Sequence, residues 1–269
     1  MQVRWTDPAK TLQRLRRSHD LKQHKRVALL QRGQYHCVTM DAPAEVPRAD
    51  WADAVRWQLR EAVDFAIDSA AVDVLAVPEG TSYRANPQLI AVAAAEVHLR
   101  PLAAHAAVAG LPWHAIDVAE SALRNLSLLS GSAQRAQALL HCQPSHATLV
   151  VTCQGELLST RQIDLTLQDL DAASPDQRRL ALDHAALELQ RTLDGIERAF
   201  GQVTLAQLLI TPMAGLDALC KHLRPLLYVP VAPLDLAELL DWRAAPELLD
   251  NPALLNRLLL AIGAALRSH

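Results

Sequence analysis

An α/β protein with mixed sheets flanked by helices is the fold class this sequence predicts, and three observations carry it. The 51% apolar content rests largely on Leu, Ala and Val, with only 4% aromatic residues, which favours helices packed closely on sheets over an all-β sandwich. Three short apolar runs, 138–142, 148–152 and 157–163, are joined by Gln143-Pro144-Ser145-His146 and Gln154-Gly155, connections short enough for an antiparallel meander. Beyond them helices and strands alternate, which adds parallel strands to the same sheet.

From the start of the chain, residues 8–26 carry Lys10, Arg14, Arg16, Arg17, Lys22, Lys25 and Arg26 against a single acid, Asp20. Residues 1–26 therefore read as a basic N-terminal arm. Two readings stand: a contact for anionic lipid or an acidic partner, and a solvated, unstructured lead-in. Val27 to Leu30 and Tyr35 to Met40 flank the turn Arg32-Gly33 and predict a hairpin. Asp50 stands as N-cap of a helix with the stripe Trp51, Val55, Leu59, Ala62 and Ala66. Val72 to Val77 is a strand ended by Pro78-Glu79-Gly80. An alanine-rich helix is predicted from Pro87 to about Gly110, stopped by Gly110-Leu111-Pro112. A short strand, His114 to Asp117, precedes a helix over 119–129 that sets Ala122, Leu123, Leu126 and Leu129 on one side and ends at Ser130-Gly131-Ser132.

After the meander, Ser174, Pro175 and Gln177 stand at N-cap, first-turn and N3 positions, where hydroxyl and amide cap each other's backbone N–H. Leu182, Ala186, Leu189, Leu193, Ile196 and Phe200 then alternate steps of four and three through a long helix. Gln207 to Thr211 is a buried strand, Leu216 to Leu223 a helix, Leu227 to Val231 a strand, and Pro252 to Arg267 a closing helix. The order β-β-β-α-β-α-β-α is the layout of one lobe of a ribonuclease H-like or actin-like fold.

The charge balance, -3, excludes a global field that draws the chain to nucleic acid. Cys37, Cys142, Cys153 and Cys220 form no CxxC and sit at no zinc-finger spacing, so they read as reduced, mostly buried thiols of a cytosolic protein. The start of the chain, charged from Arg4, offers no apolar signal region, and the apolar stretches 89–97 and 258–266 are shorter than a membrane span. His141 and Cys142 point to opposite faces of a strand, and His98 and His105 lie about two helical turns apart, so neither pair shares a metal readily. No GxSxG, P-loop or GxGxxG occurs; Gly131-Ser132 lacks the second glycine, and Ser145-His146 are mere sequence neighbours. Asp64, Asp68 and Asp73 read as a solvated rim.

Several strings carry a resemblance. Val46-Pro47, Trp51-Ala52-Asp53-Ala54-Val55-Arg56-Trp57, Val63-Asp64-Phe65 and Ala71-Val72-Asp73-Val74 are followed by Ile116 through Leu126, Leu187 through Asp194, and Leu258 to Arg267. In that order they resemble MSHA pilus biogenesis proteins of the MshI type, relatives of the PilM pilus assembly proteins. The resemblance implies an actin-like two-lobed fold with an incomplete first lobe: residues 27–130 as lobe I with an inserted subdomain, and 131–269 as lobe II. The strand hairpin with which the family opens, whose glycine-rich turn and acid cradle phosphates, is expected to be missing or replaced by the basic arm. Also implied are a place in the cytoplasm against the inner membrane, and as partners the tail of a PilN- or MshJ-like membrane protein and other pilus components.

The same resemblance marks a degenerate nucleotide cleft at Gln143, Ser145, Thr148, Thr211 and Gly215. Phosphate cradling needs backbone N–H groups, and magnesium needs oxygen ligands. The loop Gln143 to Ala147 holds a proline and no carboxylate, and Thr211-Pro212-Met213-Ala214-Gly215 keeps one glycine where a glycine-rich turn is expected. No cofactor, no metal and no catalytic residue are therefore expected. The alternative is an ATP-binding protein or weak ATPase, with magnesium, using divergent loops. Trp57, with Arg56 and Arg60, is the candidate partner-binding group. An equal reading has Trp57 covered by its own lobe.

Overall fold

The computed structural model describes residues 7–84, 86–130, 135–171 and 174–267, so the Gly131-Ser132 break lies outside the described residues. The chain packs as two units. The first takes the described residues up to Leu75 together with Leu89–Ala119; the second takes the described part of Ala76–Gln88 and the chain from Glu120.

In the first unit, α1 (Pro8–Ser18) is capped by Asp7, whose carboxylate accepts from Lys10 N–H at 3.1 Å, and it begins with Pro8, whose missing N–H is harmless in a first turn. Leu12 is buried against Ala106, Ala109 and Leu111. Arg16 donates to the Ala109 carbonyl at 3.0 Å and Gln13 to that of Val108 at 3.3 Å. The unstructured reading of this segment is thus corrected over 8–18: a narrow apolar face suffices because polar side chains satisfy the end of a neighbouring helix.

There follow β1 (Val27–Leu29), β2 (Tyr35–Asp41), α2 (Trp51–Ala54), β3 (Ala70–Ala76), β4 (Gln88–Ala95), α3 (Glu96–Val108) and β5 (Ala115–Asp117). The expected hairpin is corrected: β1 pairs in parallel with β5, while β2 joins a separate sheet of order β2-β4-β3. The turn itself forms, with Gly33 at φ +83° and Gln34 N–H on the Gln31 carbonyl, but it redirects the chain and does not fold it back. The helix expected after Asp50 is also corrected. Only Trp51–Ala54 is α-helical, 3-10 turns follow at Gln58–Glu61 and Ile67–Ser69, and Asp50 makes no side-chain cap. Val55 and Leu59 are nonetheless fully buried in one cluster with Trp51 alongside, so the stripe marked core and not helix.

The alanine-rich helix predicted from Pro87 splits into β4 and α3. β4 is the central strand of its sheet and nearly every residue in it is buried, so it carries no polar alternation to announce a strand.

The second unit holds α4 (Ala119–Leu128) from Glu120 onward, β6 (Ala136–Cys142), β7 (Ala147–Cys153), β8 (Glu156–Ile163), α5 (Leu167–Leu170), α6 (Pro175–Ala199), β9 (Leu205–Ile210), α7 (Leu216–Leu223), β10 (Val231–Pro233), α8 (Leu236–Leu239) and α9 (Pro252–Ala265). The five strands lie in the order β10-β9-β6-β7-β8. β7 is antiparallel to β6 and β8, while β9 is parallel to both β6 and β10. This is the predicted meander with parallel additions. Every residue of β6 and β7 is buried. Ser174 caps α6 through Gln177 N–H at 3.5 Å, and a full reciprocal box forms just upstream at Thr166 and Asp169. The last strand begins at Val231, later than expected. Pro230 has no N–H to give, although its carbonyl accepts from Leu208.

α9 lies against α4 through Gly263: a Cβ there would collide with the Ala122 carbonyl, and Asn125 Nδ2 donates to the Gly263 carbonyl at 2.9 Å. Cys142, Cys153 and Cys220 are buried and Cys37 is half-buried, all as free thiols. Among the described residues no helix is long and apolar enough to cross a membrane.

Candidate functional site

Ligands of open α/β sheets bind beyond the carboxyl ends of the parallel strands. In the second unit β6 and β9 end side by side, and Thr211 N–H donates to the Leu140 carbonyl at 3.0 Å. The connections that leave them, 143–146 and 211–215, are therefore neighbours, and they contain four of the five cleft residues expected from the sequence.

His141, at the end of β6, is 1% exposed. It pairs across the sheet with Thr148, so the two side chains share a face, and its Nδ1 is 3.0 Å from Thr211 Oγ1. Burial, helped by nearby His146, lowers its pKa to about 4, so the imidazole is neutral at pH 7. Cys142 points to the opposite face and burial raises its thiol to about 12.

In the loop that follows, Gln143 N–H is spent on the His146 carbonyl at 2.8 Å, and the Gln143 carbonyl accepts from Leu167 N–H at 3.1 Å. Pro144 has no N–H, and Ser145 Oγ is 2.9 Å from His146 Nδ1. In the second loop Thr211 and Met213 are buried. Gly215 sits at φ +76° as N-cap of α7 with open space around it, so the backbone conformation and not crowding demands glycine.

One residue that the sequence reading passed over holds the two loops together. Asn256, on the buried side of α9 and 4% exposed, donates through Nδ2 to the Cys142 carbonyl at 3.2 Å and the Pro212 carbonyl at 3.0 Å. The available signal was a lone amide next to Arg257 in a helix whose other residues are apolar. These loops lack part of what a magnesium nucleotide site uses. A phosphate cradle needs free N–H groups and the metal needs oxygen ligands, whereas here Gln143 N–H is engaged, Pro144 has none, and neither loop contains a carboxylate. Among the described residues no group of three or more His, Cys, Asp and Glu side chains is placed to hold a metal.

The partner-binding candidates separate in the first unit. Trp57 is 73% exposed. Arg56 turns inward, where its Nη1 donates to the carbonyls of Ile67 at 3.0 Å and Ala70 at 2.7 Å. Arg60 stays exposed, 3.9 Å from Asp68. Trp51, by contrast, is partly buried and donates to the Val46 carbonyl at 3.1 Å.

No family model and no curated protein sequence matches the chain. Solved structures do. A PilM-PilN type IV pilus biogenesis complex matches with a TM-score of 0.71 at 20% identity, over 97% of this chain and 85% of that one. The cytoplasmic domain of EpsL, an inner-membrane component of the type II secretion system of Vibrio cholerae, matches over 97% and 82% with a TM-score of 0.47 at 14% identity. A Bacteroides thetaiotaomicron protein with an actin-like ATPase fold gives 0.46 at 10% identity, over 87% and 78%. With its β10-β9-β6-β7-β8 sheet flanked by helices, the chain has the actin-like α/β fold.

Proposed function

We propose that the chain is a non-catalytic scaffold of a type IV pilus biogenesis machine of the MSHA kind, working in the cytoplasm against the inner membrane. Its partner is the cytoplasmic tail of a PilN- or MshJ-like membrane protein, and other pilus assembly components gather on it. The observation that carries this reading is the correspondence of fold with the PilM-PilN complex along 97% of the chain. The ordered strings that resemble MshI proteins support it independently.

The absence of catalysis is supported by the two loops that Asn256 ties together, which contain no carboxylate and each give one position to proline. An ATP-binding protein or weak ATPase is the second reading and draws on the fold class alone. Trp57, exposed beside Arg60, is the side chain we assign to the tail, as exposed aromatics often anchor such interfaces. Basic residues of α1, Arg14 and Arg17 among them, are exposed and suit contact with the anionic membrane surface. Calorimetric titration with the tail peptide of the PilN-like protein tests the proposal. Saturable binding is expected, weakened about tenfold by Trp57→Ala; no binding at high micromolar peptide removes it.

A further inference from the structure

Positive charge is concentrated near the start of the first unit. Residues 7–26 hold seven basic side chains against Asp7 and Asp20, in a chain whose net charge is -3. On α1, Lys10, Arg14 and Arg17 follow one another at steps of four and three and are exposed, away from the side that buries Leu12. Arg14 and Arg17 have no carboxylate partner among the described residues. The acids of the two neighbouring helices are engaged: Asp7 is held by Lys10 at 3.0 Å, and Glu96 of α3 by Arg100 at 2.7 Å. Asp20 lies past the end of α1.

Where the C-terminal ends of α1 and α3 meet there is a groove of about 420 Å³, lined by Gln13, Arg16, Arg17, Val108 and Ala109. No carboxylate lines it among the described residues. The carbonyls of Val108 and Ala109, which would repel an anion, already accept from Gln13 and Arg16. Gly110 admits the Arg16 guanidinium, since a Cβ there would come within 2.5 Å of it. Val108 itself is 66% exposed. Val97, 70% exposed, stands with it on the outward stripe of α3, together with the exposed Pro101 and Ala104 between them. Valines in the open beside exposed arginines suit the boundary between lipid headgroups and acyl chains. A soluble acidic peptide would use the charge and leave the valines in water.

We propose that this face of α1 and α3 docks directly on a bilayer that contains anionic phospholipid, with phosphate headgroups at Arg14, Arg16 and Arg17 and with Val97 and Val108 in the interface. Two valines bury little area, so the arginines set most of the affinity and salt reverses the contact. The inference deepens the membrane placement proposed above and rests on it. It needs no partner tail, so the two readings can fail separately.

The test is co-sedimentation of the full chain with vesicles of phosphatidylcholine, with and without phosphatidylserine, in the absence of any tail peptide. Binding to the phosphatidylserine vesicles is expected, at least about tenfold weaker for phosphatidylcholine alone and for Arg14→Glu/Arg17→Glu. Val97→Ser/Val108→Ser should weaken it about threefold, and Arg14→Lys/Arg17→Lys should retain it. Hydrogen exchange should slow within Pro8–Ser18 and Glu96–Val108. Soluble glycerophosphoserine should not displace the chain from the vesicles, and polyglutamate should bind more weakly than they do. The proposal is overturned by absence of binding, by equal binding to both vesicles, or by protection confined to other elements. Displacement by the soluble headgroup, polyglutamate bound as tightly as the vesicles, or valine variants that bind like the original chain overturn it as well. Tail binding without vesicle binding removes this inference alone, and the reverse removes the tail alone. All four substituted side chains are exposed, and an unchanged melting temperature verifies that the variants keep the fold.

Discussion

His141 and Thr211, brought together from β6 and from the end of β9, share a hydrogen bond of 3.0 Å in the buried floor between the two loops. The imidazole is held neutral there because burial opposes its charge. Its folded pKa, about 4, lies below the ordinary 6.5, so the unfolded chain takes up the proton first. The stabilisation is complete above pH 6.5 and falls as pH drops from there towards 4, by roughly 3 kcal/mol in all. Urea unfolding across this window should show that loss. His141→Gln, which keeps a polar partner for Thr211, should flatten the difference.

Asn256→Ala leaves the carbonyls of Cys142 and Pro212 without their donor inside the protein. The cost should be about 2 kcal/mol, read as a melting temperature lower by roughly 5 °C. Asn256→Asp should be worse, because it removes the donor and buries a carboxylate. Equal stability of all three proteins would show that this amide does not hold the loops.

Gly263→Ala forces a methyl group into the Ala122 carbonyl, so α9 must move away from α4. A loss of at least about 1–3 kcal/mol is expected in denaturant unfolding. Gly195→Ala, on an open helix flank, is the control and should be neutral or slightly stabilising.

Thermal melts with saturating magnesium-ATP should coincide with melts in buffer. A ligand at 100 times its Kd adds about 2.7 kcal/mol, enough to be seen. A clear upward shift would restore the nucleotide reading.

The legible part of the fold was the part in which pattern and environment agree. The meander 136–163 and helix α6 declare themselves because their turns and caps, Gln154-Gly155 and Ser174-Pro175, bracket unambiguous runs. β4 did not, because a strand buried on both faces and rich in alanine has the composition of a helix. The segment from Trp51 to Ala66 kept its helical spacing but is built from tight turns, and β1 found its partner 88 residues away in Ala115–Asp117, beyond the reach of any local signal. In the candidate site, the loops at 143 and 211 were marked by the resemblance and lie side by side in the fold, whereas Asn256 was not marked. Its role depends on two carbonyls that approach only in the folded sheet.

The central claim is that this actin-like chain binds a membrane protein's tail without nucleotide. Titration of the PilN-like tail peptide into nucleotide-free protein, repeated with magnesium-ATP, tests it most directly. The account predicts saturable binding of the same affinity in both buffers and weaker binding by Trp57→Ala. Binding that appears only with magnesium-ATP, or no binding in either buffer, would contradict it.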